Sequence, residues 1–410
     1  MSLLRTLRPT LPILIGASVM LTFSMGLRQS LGIFLQPLTR DVGISVSQFT
    51  LAIAVQNLAW GFLQPFAGAL TVRYGFRPIM MIGAALYVAG LVLMASAHGL
   101  LGVVLGAGLL IGMSLACTAA AIAMSVTARA VPATVRSTAL GIISAAGSLG
   151  ALLSAPIGQV LSQDFGWRMG LAGFVVLSLL MLPAAWFAGR VDKIPLPKPS
   201  SDQIDNVSAG AAVSTAFGNA SFVVMTCAYF VCGMQLVFIT THLPSYLAIC
   251  GMDPMLSAQM LGMIGGFNVL GSLFFGWAGG RWNKLALLGG IYICRSLVLG
   301  WYFMLPPTPA STLVFGALAG FLWLGVGPLV AGAVVEMFGL RWQAMIQGLA
   351  FMSHQLGSFL GAYGGGLIYD SLGSYTLAWR IGVAVGLAAG IVQVAFALIR
   401  PTAPPVLRTA

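Results

Sequence analysis

The sequence predicts an all-α membrane protein, with twelve transmembrane helices arranged as two pseudo-symmetric six-helix bundles. Three observations support this fold class: an apolar composition, twelve long apolar segments, and a repeat that relates the two halves of the chain. Of the 410 residues, 59% are hydrophobic and only 7% are charged, whereas soluble domains carry roughly 25% charged residues. The composition therefore excludes a soluble enzyme, a disordered chain and a secreted disulfide scaffold.

Each apolar segment is long enough to cross a bilayer, which takes about 20 residues per helix. The predicted spans 1 to 12 are 11–38, 46–71, 78–97, 100–126, 138–162, 169–189, 218–248, 257–279, 285–304, 311–336, 343–369 and 380–399. Because Arg5 and Arg8 precede the first segment, it resembles a signal peptide. Its apolar run is too long and lacks a small-residue cleavage site, so we expect it to be retained as span 1.

The positive residues predict the orientation of these spans. With a cytoplasmic N-terminus, Arg40, Arg168 and Arg380 lie outside, two arginines lie within spans, and the other fourteen of the 19 basic residues lie inside. This asymmetry follows the positive-inside rule. We expect a multi-pass membrane protein with both termini in the cytoplasm. The net charge of +11 is then loop charge, and no nucleic-acid partner is predicted.

No motif in the sequence indicates an enzyme. The five cysteines have no CxxC spacing and lie mostly in spans, which indicates neither a metal site nor a disulfide framework. The spans contain no Walker motif and no pattern typical of a catalytic triad. We therefore predict no catalytic residue, no metal and no cofactor.

A polar stretch, 190–216, divides the chain into two halves of six spans each. Its charges, prolines and Ser/Ala/Gly residues predict a cytoplasmic linker between an N-terminal bundle, 1–189, and a C-terminal bundle, 217–410. Matching residues recur in the same order in both halves. The pairs are Gly26 and Gly233, Gly141 and Gly348, and Gly150 and Gly357 at an offset of 207, then Gly68 and Gly276, and Arg73 and Arg281, at 208. Repeats of this kind are typical of secondary transporters.

The loop between spans 2 and 3 resembles that of the major facilitator superfamily, whose usual pattern there is Gly-x-x-x-Asp-Arg-x-Gly-Arg. The matching positions are Gly68, Arg73, Gly75 and Arg77, with Gly276 and Arg281 in the second half. The resemblance implies a conformational role for these six residues. Val72 and Gly280 occupy the Asp positions, so the chain lacks the carboxylate that helps to latch the family's outward-open state.

Within that superfamily, the chain resembles the bacterial branch of monocarboxylate and oxalate/formate porters. The similarity is carried by segments 26–34 in span 1, 241–247 in span 7, 322–329 in span 10 and 353–361 in span 11. It implies a secondary transporter whose cavity is lined by spans 1, 4, 7 and 10 and partly by spans 2, 5, 8 and 11. Animal monocarboxylate carriers have an Asp and a carboxylate-binding Arg on span 8, but Asn268 and Ser272 stand at those positions here.

Arg28 is the leading candidate for contact with an anion. It lies 17 residues after Leu11 in span 1, about 26 Å along the helix, where a charge costs at least ~2.5–3.5 kcal/mol. Glu336, the only Glu, lies near the cytoplasmic end of span 10, so no acidic partner for Arg28 is evident. A guanidinium in a cavity can hold a carboxylate through two parallel hydrogen bonds. Alternatively, Arg28 extends toward the interface or binds backbone carbonyls at a helix break.

Arg295 is a second candidate buried charge, ten residues into span 9 and near the midplane. Its depth favours a substrate role, but the resemblance makes spans 3, 6, 9 and 12 peripheral supports. We therefore favour a structural role, in which Arg295 binds carbonyls or Asn and Ser groups of spans 7 or 8. A role toward the substrate is left open.

Further polar and aromatic side chains are candidate cavity walls. Gln235, Phe238 and His242 share one face of span 7 at the spacing i, i+3 and i+7. The other candidates are Gln56, Asn57 and Trp60 on span 2, Asn268 on span 8, Trp323 on span 10, and His354 and Gln355 on span 11. The resemblance implies that His354 lies roughly where oxalate/formate exchangers place a substrate-binding Lys. For every candidate, hydrogen bonding or packing between helices is the alternative.

Together these features predict a secondary active transporter that moves a small organic anion, most simply a carboxylate, across the inner membrane by alternating access. The alternative is a proton-coupled exporter of neutral or amphipathic drug-like solutes. A proton is a candidate co-substrate, carried by His354 or by a weak-acid substrate, and symport, exchange and uniport are left open. The expected partners are the organic anion and membrane lipid, and we expect a monomer.

Overall fold

The computed structural model describes residues 7–196 and 207–399. Within these ranges the chain forms helices and no strand, and all twelve predicted spans are helical, which confirms the predicted fold class. From span 1 to span 12 the helices are Arg8–Asp41, Val46–Tyr74, Phe76–Ala95, Leu100–Ala130, Ala133–Phe165, Trp167–Lys193, Ala220–Ile249, Pro254–Ala278, Lys284–Met304, Pro309–Phe338, Gln343–Leu372 and Thr376–Ile399. A short helix, Ala209–Gly218, precedes span 7. Residues 197–206 of the predicted linker, and the basic residues Arg5, Lys198, Arg400 and Arg408, lie outside the described residues.

Eleven of the helices in the described ranges are long and apolar enough to cross a membrane. Span 11 is the exception although it is 30 residues long, because it carries several polar side chains. Three of these, Gln343, Gln347 and Gln355, are buried, so they face protein. A helix that shields its polar groups in this way can cross a bilayer at lower mean hydropathy.

Polar side chains define where several spans begin. Ser45 and Gln48 form a reciprocal capping box at the start of span 2, and Asn219 and Asn283 cap spans 7 and 9. These caps satisfy backbone N–H groups that have no partner within the helix. Span 2 ends at Gly75, whose φ of 88° lies in the left-handed region that favours glycine.

Spans 4 and 10, which correspond in the repeat, are both interrupted. Span 4 contains a π-helical stretch, Val104–Leu110, and breaks again at Ala119. Span 10 is interrupted between Phe321 and Val326. Interruptions free backbone groups that a regular helix would use internally, and side chains from neighbouring spans bind some of them.

The described residues form two compact units. Unit 1 comprises those of Met1–Lys198 together with Leu340–Gly348, and unit 2 comprises those of Pro199–Gly339 together with Leu349–Ala410. Spans 1–6 therefore belong to unit 1 and spans 7–10 and 12 to unit 2, while the first residues of span 11 cluster with unit 1. The domain boundaries 1–189 and 217–410 stay a prediction.

The repeated glycines allow close helix packing in each unit. In unit 1, a Cβ at Gly26 would lie 2.4 Å from the carbonyl oxygen of Gly150, so spans 1 and 5 touch through their backbones. In unit 2, a Cβ at Gly233 would lie 2.0 Å from the carbonyl oxygen of His354, so spans 7 and 11 touch in the same way. Small residues at such crossings are typical of membrane helices.

Candidate functional site

Arg28 lies in unit 1 against a group of side chains from span 2. Its Nε donates to Gln56 Oε1 at 3.1 Å, and its Nη2 donates to Asn57 Oδ1 at 2.5 Å. The guanidinium also lies over the ring of Trp60, with the Cζ atom 5.1 Å from the ring centroid. The four residues that the sequence nominated on spans 1 and 2 are therefore in contact.

Span 4 fixes the orientation of the span 2 side chains. Gln56 Nε2 donates to the carbonyl oxygen of Ala107, within the π-helical stretch, at 2.6 Å. This bond leaves the amide oxygen of Gln56 directed at Arg28. One helical turn further on, Trp60 Nε1 donates to Gln64 Oε1 at 3.0 Å, and Gln64 Nε2 donates to the carbonyl oxygen of Ala116 at 2.8 Å. Backbone carbonyl groups of span 4 therefore fix the positions of Gln56 and Gln64 on span 2.

This arrangement orients the positive charge of Arg28 without neutralising it, because amide oxygens are uncharged acceptors. Among the described residues, no hydrogen-bond partner is found for Nη1 of Arg28, and the residue is only partly buried. A guanidinium that keeps a free edge can donate two parallel hydrogen bonds to a planar oxyanion. The site is thus chemically suited to a carboxylate.

Arg295 and Gln235 form a buried pair in unit 2. Arg295 is 1% exposed, donates from Nε to Gln235 Oε1 at 3.0 Å, and donates from Nη1 to Cys232 Sγ at 3.3 Å. The amide nitrogen of Gln235 donates to Ser296 Oγ and to the carbonyl oxygen of Gly382. Gln235 therefore links spans 7, 9 and 12.

Gln235 and Arg28 occupy corresponding positions at the offset of 207. Each unit thus pairs one arginine with an amide, but the arginine comes from span 1 in unit 1 and from span 9 in unit 2. The two arginines differ in accessibility, because Nη2 of Arg295 is buried without a hydrogen-bond partner among the described residues. Arg28 is the more accessible of the two to a ligand.

Phe238 and His242 lie in an aromatic group of unit 2. Their ring centroids are 5.2 Å apart, and His242 lies 5.1 Å from the ring of Tyr375. His242 Nε2 is also 2.8 Å from the carbonyl oxygen of Ala362 on span 11. Trp323 packs against the apolar cluster that contains Phe238.

Asn268 and His354 bind other helices of unit 2. Asn268 Oδ1 accepts from the backbone nitrogen of Leu324 at 3.1 Å, which satisfies one N–H group freed by the interruption of span 10. The ring of His354 lies 4.6 Å from that of Tyr229 and stacks on Phe351. Its Nδ1 is 3.4 Å from Gln355 Oε1.

The candidate conformational residues lie at the ends of spans 2, 3 and 8. Gly68 packs against the backbone of Ala344 and Met345, which belong to the same unit. Arg73 lies over the ring of Tyr74, the next residue in sequence, and Arg281 lies over the ring of Trp277, four residues earlier. Arg77 lies over Trp186 of span 6, and Gly276 is buried within span 8.

Asp192, at the end of span 6, supplies a carboxylate to the loop between spans 2 and 3. Its two oxygens accept from the backbone nitrogens of Phe76 and Arg77 at 2.8 and 2.9 Å, and so cap span 3. A Cβ at Gly75 would lie 2.8 Å from one of these oxygens, and the φ of 88° at this position independently favours glycine. Arg129 of span 4 holds the same segment through the carbonyl oxygen of Ile194.

Replacing Asp192 with Ala is expected to destabilise unit 1 by about 1–2 kcal/mol, because two N–H groups at the start of span 3 lose their acceptor and the favourable charge at the helix N-terminus. Thermal unfolding of the purified protein in detergent measures the loss. Lys193→Ala is the matched control, since Lys193 is the exposed neighbour of Asp192. Equal melting temperatures for the two variants would contradict the capping role.

Several residues of these groups escaped the sequence analysis. Gln64 could have been found, because Gln56, Trp60 and Gln64 follow one another at intervals of four on a single face of span 2. Cys232, three residues before Gln235, also shares its face. Asp192 gave no local signal, because its partners lie more than a hundred residues earlier in the chain.

Comparison with known proteins agrees with this architecture. Residues 14–362 match the model of the Major Facilitator Superfamily. The chain is 25% identical to human monocarboxylate transporter 11, over 93% of this chain and 82% of that protein. It is also 25% identical to the uncharacterized MFS-type transporter YcxA of Bacillus subtilis, over 91% of this chain and 93% of YcxA.

Solved structures show the same fold. The proton:xylose symporter XylE superposes with a TM-score of 0.71 at 14% identity, over 95% of each chain. The Escherichia coli fucose:proton symporter FucP superposes with a TM-score of 0.72 at 16% identity, over 94% of this chain and 98% of FucP. The twelve helices, the repeated glycine contacts and these matches lead to one conclusion: the chain belongs to the Major Facilitator Superfamily and is a multi-pass membrane transporter.

Proposed function

We propose that the protein transports a small organic anion, a carboxylate, across the bacterial inner membrane by alternating access, with Arg28 as the residue that binds the anion. The observation that carries this proposal is the set of contacts around Arg28. Two neutral amide oxygens and the face of Trp60 orient the guanidinium, and none of them cancels its charge. The relatedness to monocarboxylate transporters supports the same substrate class.

The energetics favour a role for Arg28 in binding. An arginine within a membrane span is costly, and hydrogen bonds to amides recover only part of that cost. A bound carboxylate would supply the missing negative charge. Gln56 and Asn57 would then position Arg28, while Trp60 would contact the body of the substrate.

The paired arginine of unit 2 has a different role in this proposal. Arg295 is enclosed by Gln235, Cys232 and the ring of Tyr292, so it braces spans 7 and 9 and does not meet the substrate. His242, Asn268, His354 and their neighbours then contribute to the walls of unit 2. A proton enters either with the weak-acid substrate or through His354, and the protein acts as a monomer with both termini in the cytoplasm.

Uptake by proteoliposomes tests the proposal. The purified protein is reconstituted and offered labelled organic acids of increasing size, with and without an imposed pH gradient. We expect uptake of at least one monocarboxylate above the rate of empty liposomes, and competition by other carboxylates but not by their amides. The amides are the matched controls, because they keep the shape of the acid and lack its charge.

Uptake of a neutral or cationic solute, with no transport of or competition by any acid, would overturn the proposal. That result would instead support the proton-coupled export of neutral or amphipathic solutes. Stimulation by an inward proton gradient would indicate symport. Uptake that depends only on an anion loaded inside the liposomes would indicate exchange.

A further inference from the structure

Unit 2 contains a cavity of about 700 Å³ whose described lining includes neither Arg295 nor its partners Gln235 and Cys232. It lies at the end of the unit where the loops after spans 7, 9 and 11 are found. The lining residues come from spans 7, 9 and 12 and from the end of span 11 with the loop that follows it. None of the candidate substrate contacts is among its described lining residues.

The cavity changes from polar to apolar along span 12. Thr376 and Arg380 line its mouth, and Val383, Ala384 and Leu387 continue along the same helix face. From Thr376 to Leu387 the helix rises about 16 Å. This length matches half of the hydrocarbon core, which is about 30 Å thick, so the cavity spans the depth of one lipid leaflet.

Arg380 supplies a positive charge at the mouth of the cavity. Among the described lining residues, Arg380 is the only charged side chain, and it is exposed. Ser374 and Thr376, whose hydroxyl oxygens are 2.8 Å apart, line the cavity as well, and Thr376 lies one helical turn before Arg380. A guanidinium flanked by hydroxyls is complementary to a phosphate group.

Aromatic rings form the upper walls of the cavity. Phe303 stacks on Trp379 with centroids 5.9 Å apart, and Tyr369 stacks on Tyr375 at 4.5 Å. Tyr and Trp side chains are typical of the membrane–water interface, where one end of the ring meets lipid and the other meets water. The mouth of the cavity therefore lies at the depth of lipid headgroups.

A lack of side chain at Gly300 creates part of the space. A Cβ built on Gly300 would meet only the methyl groups of Val383, at 3.6 and 3.7 Å, which are ordinary contact distances. The cavity is therefore not closed by backbone at this point. A larger residue at position 300 can be accommodated, and it would occupy the apolar part.

From these features we infer that the cavity binds one anionic phospholipid of the surrounding bilayer. Its phosphate contacts Arg380 and the hydroxyls of Ser374 and Thr376, and one acyl chain lies in the part of the cavity lined by Gly300, Val383 and Leu387. The occupant is a lipid because the space continues to the depth of an acyl chain. It is anionic because Arg380 is the one charged side chain among the described lining residues, whereas Asp370, whose charge also reaches Tyr375, does not line the cavity.

Native mass spectrometry of the full chain released from detergent tests this inference. With phosphatidylglycerol and phosphatidylcholine of identical acyl chains, we expect one phosphatidylglycerol to be retained about fivefold more tightly, the preference that a single basic residue near the surface provides. Arg380→Gln is expected to reduce the two affinities to the same value. Equal retention of both lipids by the unchanged protein would overturn the anionic assignment.

Gly300→Leu tests the acyl position. It is expected to weaken binding of both lipids about tenfold, the loss that follows from displacing two buried methylene groups. Gly290→Leu on the same span is the matched control, because a Cβ there meets nothing within 4 Å and Gly290 does not line this cavity. Equal losses in the two variants, or full retention by Gly300→Leu, would overturn the location.

Two further measurements complete the test. One distinguishes loss of the lipid site from misfolding of a variant, and the other distinguishes a phospholipid from a free fatty acid. Ala384→Phe fills the same space from span 12, and the melting temperature without added lipid shows whether each variant is folded. Sodium oleate is added in place of phospholipid in a separate arm. Displacement of bound phosphatidylglycerol by equimolar oleate would assign the cavity to a free fatty acid and would overturn the phospholipid.

Discussion

Replacement of Arg28 with Gln is expected to raise the KM for the transported carboxylate about 10- to 150-fold, with little change in the amount of folded protein. The magnitude follows from the loss of charged hydrogen bonds to the substrate, each of which contributes about 1.5–3 kcal/mol. Gln is a suitable replacement because Gln56 and Asn57 can still bond to a side-chain amide. Uptake kinetics in proteoliposomes measure the effect.

Arg40→Gln is the matched control, because Arg40 lies on the same span and its side chain is 80% exposed in an ion pair with Asp41. We expect wild-type kinetics for this control. Arg28→Lys separates charge from geometry, since lysine keeps the charge but lacks the planar pair of donors. An unchanged KM in Arg28→Gln would remove Arg28 from the binding site, whereas lost expression would assign it a structural role.

The members of the group around Arg28 could be named from the sequence, but their contacts with Arg28 could not be predicted. Helical spacing places Gln56 and Trp60 one turn apart on span 2, and the high cost of a buried arginine indicates that polar groups lie nearby. Helical spacing cannot show that Gln56 and Asn57 both accept hydrogen bonds from Arg28 through their amide oxygens. For Gln56 that orientation depends on the carbonyl of Ala107, 51 residues away.

The contacts of span 7 were harder to predict because helical spacing gives a face but not its neighbours. Gln235, Phe238 and His242 share a face by spacing, yet Gln235 reaches span 9 and span 12, while His242 lies against span 11. A 30-residue helix crosses several neighbours along its length, so residues on one face contact different partners. Only the three-dimensional packing separates them.

The positions of the helices could be predicted from the hydropathy of the chain, and the repeat identified glycines that lie at contacts between helices. Gly26 and Gly233, matched by offset, each lie against the backbone of the partner helix. The interruption of span 4 at Ala119 was not predicted, because no proline lies there, whereas Pro328, which cannot donate to the carbonyl of Leu324 four residues earlier, is a signal for the interruption of span 10 that was not used. Side chains from neighbouring spans stabilise such breaks, as Asn268 does at Leu324.

Gly357→Ala is expected to destabilise unit 2 by about 3 kcal/mol or more and to reduce the yield of folded protein. A Cβ at this position would lie 1.9 Å from the carbonyl oxygen of Phe230. Because the obstacle is backbone, no rotamer change relieves it, and spans 7 and 11 must separate. Overpacking of a well-packed interior costs about 1–3 kcal/mol even where side chains can adjust. Thermal unfolding in detergent, followed by tryptophan fluorescence, measures the change.

Gly364→Ala provides the control, since Gly364 lies two turns further along span 11 and its Cβ would meet only the side chain of Leu360, at 3.5 and 3.8 Å. We expect its melting temperature to be unchanged or slightly raised, because alanine favours helix more than glycine does. Gly150→Ala should behave like Gly357→Ala, since its Cβ would lie 2.0 Å from the carbonyl oxygen of Thr22 in unit 1. If all three variants melted alike, glycine content and not close backbone approach would explain the repeat. A loss confined to positions 150 and 357 would mean that the two halves retain these glycines for the same physical reason.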